Sequence, residues 1–136
     1  MTSQPASMRL PAPPDQVHAI LVDPLALPQW NEAFLSISGP PRPVPGLRYR
    51  LTVRPGLPGH WEYTAIQPDR VEAVWGMPGF HEQATWTLRP QDGGTLVTHD
   101  FQHTGWLASV LSNAYRGVED LRLRRLERRL LAVYGE

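Results

Sequence analysis

The sequence predicts an α+β fold in which a twisted antiparallel sheet of about six or seven strands packs against a long C-terminal helix. No proline occurs between Leu107 and Val133, although the chain contains 15, and apolar residues recur there at steps of three and four. Upstream, short stretches alternate apolar and polar residues and end at glycine or proline, as strands do. The closing helix is the longest predicted element, so it is the one expected to cover an apolar face of the sheet.

The first thirty residues predict one strand and two short helices. Residues 8–10 form the strand, and Pro13-Pro14 suit the first turn of a helix, where a missing N–H costs little. That helix stops at Pro24, and a second short turn covers residues 25–29. Its apolar face consists of Val17, Ile20 and Leu21.

The middle of the chain predicts the remaining strands. Alternation at period two occurs at residues 34–39, 48–54, 61–65, 71–75, 83–89 and 95–103. The turn at residues 91–94 predicts a hairpin in which Pro90 lies opposite Thr95. This register places Glu82 opposite His103; with a loop two residues longer, Glu82 would face Phe101 instead.

The predicted C-terminal helix carries two apolar faces, one from Leu107 to Leu121 and one from Leu123 to Val133. The step from Leu121 to Leu123 rotates the apolar face by roughly 100°, so the two halves should contact different parts of the protein. Gly117, near the change, is a candidate bend. Leu126 and Leu130, in the second half, are predicted core residues.

Length and composition argue against several classes of partner and chemistry. A chain of 136 residues predicts a single domain, residues 1–136. Balanced charges, 13 basic and 13 acidic, argue against nucleic acid or an anionic membrane as partner. The chain has no cysteine, which excludes disulfides and thiolate chemistry. No signal peptide or spanning segment is recognisable, so a soluble, cytoplasmic protein without stable membrane insertion is expected.

The sequence resembles the START-like helix-grip superfamily (SRPBCC), especially its polyketide cyclase/dehydrase-like branch. The residues that carry the resemblance are Ala12-Pro13 with Val17, Asp23, Trp30, Pro45-Gly46, Trp86-Thr87-Leu88, Gly93-Gly94-Thr95 and Leu126-Glu127. The resemblance covers nearly the whole chain and implies a sheet that wraps round the long helix. It also implies a hydrophobic cavity between the two.

The face assigned to the interior is rich in aromatic side chains, which bury large areas and present a few polar groups, as ligand cavities do. The alternative is an ordinary packed core. The candidate ligand-binding residues are Tyr49, Trp61, Tyr63, Trp75, Glu82, Trp86, His99, Phe101, His103, Leu111 and Tyr115.

Several polar residues on the predicted strands and on the predicted helix are candidates for a functional role. Glu82 points inward by alternation, so it lies at a wet rim or has a partner, and His99 or His103 could be that partner. The histidines themselves lie about 13 Å apart along the strand, too far to ligate one metal. Helical spacing of Glu119 with Arg122 predicts that the arginine-rich part of the helix is a solvated, salt-bridged face.

The leading hypothesis is binding of a hydrophobic small molecule such as a lipid, quinone or polyketide-like compound, with no cofactor. Two alternatives stay open: a cyclase or dehydratase that uses the same cavity, and a protein-interaction module that uses the arginine-rich helix. A homodimer is also compatible with the sequence. Candidate acids and bases are Glu82, His99, His103, Tyr63 and Tyr115, but no catalytic residue can be assigned, because the superfamily shares no fixed catalytic set.

Overall fold

This computed structural model describes residues 2–135, which contain one antiparallel sheet, two short helices after its first strand and a longer helix near the C-terminus. In chain order the elements are β1 (Ala6–Leu10), α1 (Pro14–Leu21), a 3-10 helix (Pro24–Gln29), β2 (Phe34–Ser38), β3 (Arg48–Val53), β4 (Leu57–Gln67), β5 (Arg70–Met77), β6 (Phe80–Gln91), β7 (Gly94–Thr104) and α2 (Val118–Tyr134). The seven strands follow the order β1-β7-β6-β5-β4-β3-β2 in one sheet. The predicted α+β architecture is therefore confirmed.

The strands and the first helix form where their patterns predict. Along β3, Tyr49, Leu51 and Val53 are buried while the arginines between them are exposed, as period-two alternation requires. In α1, Pro14 occupies the first turn and the predicted apolar face is buried. Along β3, one face of the sheet thus carries core residues and the other carries charged side chains.

Helix α2 completes the core. Leu123, Leu126 and Leu130 are buried with the inner face of the sheet in one apolar cluster. The burial predicted for Leu126 and Leu130 is confirmed, with 0% and 2% of their surfaces exposed. Neither α1 nor α2 is long and apolar enough to cross a membrane.

The predicted helix start at Leu107 is wrong, because regular helix begins only at Val118. Gly117 has a φ of 78°, a left-handed conformation that interrupts the helical path. The residues before it form successive turns, held at one end by the Leu107 N–H, which donates to the Gly79 carbonyl at 2.9 Å. The suspected bend at Gly117 is thus the helix boundary, and α2 has 17 residues.

Candidate functional site

The β6–β7 hairpin places two pairs of polar and aromatic side chains together on the inner face. Gln91 pairs with Gly94, so the turn consists of Asp92 and Gly93, both with positive φ as in a tight hairpin turn. The resulting register puts Glu82 opposite His103 and Trp86 opposite His99. This is the register predicted from the sequence.

Glu82 is the centre of a buried polar cluster, here called the Glu82 cluster, formed with His99, His103 and Arg122. Arg122 donates two parallel hydrogen bonds to the Glu82 carboxylate, at 2.7 Å and 2.9 Å. His103 Nε2 donates to the same carboxylate at 2.8 Å. Glu82 is only 1% exposed, so the interpretation as a rim residue is wrong and the predicted carboxylate–imidazole contact is confirmed.

The structure also contradicts the expectation that Arg122 is solvated. The sequence assigned it to a solvated face with Glu119, but only 6% of its surface is exposed and it pairs with Glu82 on β6. Its position is four residues before Leu126 and eight before Leu130, which places it on the buried face of α2. That spacing was the available signal; it was missed because arginine is rarely buried without a partner.

The charges within the Glu82 cluster are stabilised by one another. Burial raises the pKa of a carboxyl group, but attraction to Arg122 and hydrogen bonds from His103 and Arg122 outweigh it and lower the Glu82 pKa to about 2. Glu82 conversely raises the pKa of Arg122 against the opposing effect of burial. The pair is therefore a fixed buried ion pair at neutral pH.

His99 is held as a neutral imidazole. Its Nδ1–H donates to the Thr85 carbonyl at 3.0 Å, and its ring stacks on Trp86 at 3.6 Å between centroids. Arg122 donates a hydrogen bond to Nε2 of His99 at 3.4 Å. Only an unprotonated ring nitrogen can accept such a bond, so Nε2 carries no proton. Burial, together with the charge of Arg122, lowers the His99 pKa to about 3.

We expect His99 to make the protein lose stability in mild acid. The unfolded chain takes up a proton below the ordinary histidine pKa of 6.5, whereas folded His99 does not until about pH 3. Stability should therefore fall by about 1.4 kcal/mol per pH unit as the pH drops below 6.5. Denaturant unfolding at pH 7, 6 and 5 measures this slope.

His99→Asn should flatten the slope, because the amide can donate to the Thr85 carbonyl but does not titrate. His81→Asn, the same substitution at a partly exposed position on the outer face, is the control and should keep the slope of the parent. Equal slopes for His99→Asn and the parent between pH 6.5 and 5 would contradict the assignment.

A small cavity adjoins the cluster between the sheet and α2. Its volume is about 20 Å³, room for about one water molecule. Its lining is mostly apolar and comprises Leu21, Leu27, Trp30, Asn31, Trp61, Tyr63, Val71, Ala73, Glu82, Ala84, Trp86 and Arg122. Four of the predicted ligand-binding residues, Trp61, Tyr63, Glu82 and Trp86, therefore meet at one cavity.

Other predicted site residues lie elsewhere in the packed interior. Tyr49 donates to the Pro40 carbonyl at 2.7 Å, away from the cavity lining. Trp75 packs edge-on against Phe34 at 5.1 Å. Interlocked rings of this kind explain why the aromatic face leaves so little open volume.

The remaining predicted residues lie on β7 and in the turns that follow it. Phe101, His103 and Tyr115 form an aromatic group with Phe80, in which the Tyr115 and His103 rings lie 4.4 Å apart. Burial raises the pKa of Tyr115 to about 12. Leu111 is partly buried and packs against the core.

A larger cleft of about 250 Å³ opens on the other side of the cavity wall. Trp30, Asn31 and Arg122 line both spaces and so separate the cleft from the cavity. Glu32 and Arg125, which form an ion pair, also line the cleft. Sequence reasoning missed this wall, because its three members come from two distant segments with no shared pattern.

Among residues 2–135, no three side chains of the types that ligate metals lie close enough together to form a metal site. The polar groups at the cavity are instead donors and acceptors suited to an organic molecule. Arg122, Asn31 and Trp30 supply N–H donors, and Glu82 supplies the negative charge. The cavity thus has an apolar lining with donors and one carboxylate on the side of Glu82 and Arg122.

Comparison with solved structures confirms the fold. A START superfamily protein from Mycobacterium smegmatis has a TM-score of 0.74 at 17% identity, covering 97% of this chain and 98% of that chain. Ara h 8.0201 has a TM-score of 0.72 at 18% identity, with 97% and 98% covered. DynU16, a protein in the dynemicin biosynthetic locus, has a TM-score of 0.69 at 25% identity; the match covers 97% of this chain but 47% of DynU16.

The comparison with curated proteins found no match. The sequence does match the family model described as polyketide cyclase / dehydrase and lipid transport, over residues 1–131. The resemblance to START-like proteins inferred from the sequence is thereby confirmed. Because the match spans nearly the whole chain, this protein belongs to the polyketide cyclase / dehydrase and lipid transport family.

Proposed function

We propose that the protein binds a hydrophobic small molecule between the sheet and α2, and that the molecule reaches this space from the cleft. The observation that carries the proposal is the wall shared by the two spaces, Trp30, Asn31 and Arg122. Displacing these side chains would join a cavity of about 20 Å³ to a cleft of about 250 Å³. The joined space approaches the lower size of small-molecule sites, which begins near 300 Å³.

The lining supports an apolar ligand with one polar end. Leucine, valine, alanine and aromatic side chains make up most of the cavity surface, and the charged groups are confined to Glu82 and Arg122. Such a surface favours molecules that gain from burial of apolar area. The family description, which names lipid transport and polyketide cyclisation, supports the same class of ligand.

Binding is favoured over catalysis by the protonation states near the cavity. General acid–base catalysis works best with a pKa near the operating pH. Three of the five candidate acids and bases have pKa values far from neutral, about 2 for Glu82, about 3 for His99 and about 12 for Tyr115, so these three are not poised to exchange a proton at neutral pH. A cyclase or dehydratase therefore remains the second candidate, supported by the contact of His103 with Glu82 beside the cavity.

Filling the cavity should block binding. Ala73 is buried on β5 and lines the cavity, so Ala73→Val adds two methyl groups where a ligand would lie. We expect the affinity for an environment-sensitive apolar dye to fall about tenfold or more, since crowding of a hydrophobic pocket by even one methylene is strongly felt. Dye titration, followed by quenching of tryptophan emission, measures the effect.

Thr64→Val on β4 is the matched control, because Thr64 is exposed and its replacement should leave dye affinity unchanged. Absence of saturable binding by any apolar probe would contradict the proposal, as would equal affinity in Ala73→Val and the parent. Native mass spectrometry of the purified protein would identify a bound apolar molecule by its mass. Conversion of that molecule into a new product would favour the cyclase or dehydratase alternative.

A further inference from the structure

Trp30 holds a fixed position in the wall between the cavity and the cleft. It follows the 3-10 helix, where the backbone N–H groups of Trp30 and Asn31 both donate to the Leu27 carbonyl, at 3.1 Å and 2.8 Å. Its ring packs edge-on against Trp86, 5.7 Å between centroids. Only 5% of its surface is exposed, so the indole is buried in a defined orientation.

The indole N–H of Trp30 has no acceptor among residues 2–135. A buried donor without a partner costs free energy, and buried indoles usually find an acceptor. The acceptors nearby in the wall and cluster are already engaged: Glu82 accepts from Arg122 and His103, and the Asn31 side-chain oxygen accepts from the Ala33 N–H. A molecule at this wall therefore gains most if it brings an acceptor.

We propose that Trp30 is a specificity-determining residue, whose indole N–H donates a hydrogen bond to a carbonyl oxygen of the ligand. The protein then selects apolar compounds that carry a carbonyl group over hydrocarbons of the same shape. A site built to satisfy a polar group discriminates against an analogue that lacks it, because that analogue leaves the buried group unpaired. This inference rests on the proposed function, since it concerns a ligand in the same space.

The test compares 1-tetralone with tetralin, two ring compounds of similar shape of which only the first has a carbonyl group. In Trp30→Phe, which keeps an aromatic ring but removes the N–H, the affinity for 1-tetralone should fall about fivefold, as expected for the loss of one hydrogen bond. The affinity for tetralin should change less than twofold. Trp106→Phe is the matched control, because Trp106 is 74% exposed and its replacement should affect neither ligand.

A second measurement uses the parent protein alone. In the proton–nitrogen NMR spectrum of the parent, the Trp30 indole N–H signal should move downfield on addition of 1-tetralone and not on addition of tetralin. If tetralin binds and this signal responds equally to both compounds, or if Trp30→Phe weakens both equally, Trp30 contributes packing alone and the inference fails. If the parent binds the apolar dye but not 1-tetralone, the inference fails alone; if it binds neither the dye nor either ring compound, the proposed function fails with it.

Discussion

Replacement of Arg122 by methionine is expected to lower the free energy of unfolding by about 3–5 kcal/mol at pH 7, the usual cost of removing one partner of a buried ion pair. The Glu82 carboxylate, 1% exposed, would lose the two hydrogen bonds that Arg122 donates, and both leaving it charged and protonating it cost free energy. The methionine side chain fills similar space, so loss of charge compensation dominates the effect. Urea unfolding of the parent and the variant measures it.

The cost of Arg122→Met should depend on pH with a definite sign. The folded Glu82 pKa is about 2, below its ordinary value of 4.5, so its ionisation stabilises the parent above pH 4.5 and this contribution is lost as the pH falls toward 2. The variant lacks the contribution. The difference in stability between the two proteins should therefore shrink from pH 5 to pH 3.

Two further variants separate charge from packing. Glu82→Gln combined with Arg122→Met removes both charges and should recover most of the lost stability, as expected when a buried pair is replaced as a unit. Arg124→Met, at an exposed position of α2, should change stability by less than about 0.5 kcal/mol. If Arg122→Met were as stable as Arg124→Met, the ion pair would have no structural importance.

The sheet could be predicted from the sequence because its determinants are local. Alternation at period two assigns each strand residue to a face, and the Asp92–Gly93 turn fixes the pairing of β6 with β7. With the inward alternation of Glu82, that pairing predicts a contact with His99 or His103, and in the structure His103 makes it. A site residue that depends on strand register is therefore accessible to sequence reasoning.

Arg122 and the start of α2 could not be predicted in the same way. Both depend on where the chain docks after β7: the Leu107 N–H binds Gly79 and Gly117 takes a left-handed conformation, so that the helix begins late. Burial of Arg122 further requires that Glu82 already face α2 from another element. Helical spacing places Arg122 on the face of Leu126 and Leu130, but an arginine is buried only with a partner, and that partner lies on β6, far away in the sequence.

The volume of the cavity could not be predicted from the sequence either. The aromatic residues of the inner face were correctly assigned to the interior, but the cavity that they leave, about 20 Å³, depends on how their rings interlock. Trp30 illustrates the point. It lines both the cavity and the cleft and packs edge-on against Trp86, a residue far away in the chain.

The second large effect is expected at Leu126, where replacement by alanine should cost about 2–5 kcal/mol of unfolding free energy. Leu126 is 0% exposed and lies in the cluster that joins α2 to the sheet, so the change removes apolar contacts and leaves a void. Leu131→Ala, at a position 53% exposed on the same helix, should cost less than about 0.5 kcal/mol. A circular-dichroism melt in which Leu126→Ala is as stable as Leu131→Ala would show that α2 does not support the sheet, and the site between them would lose its basis.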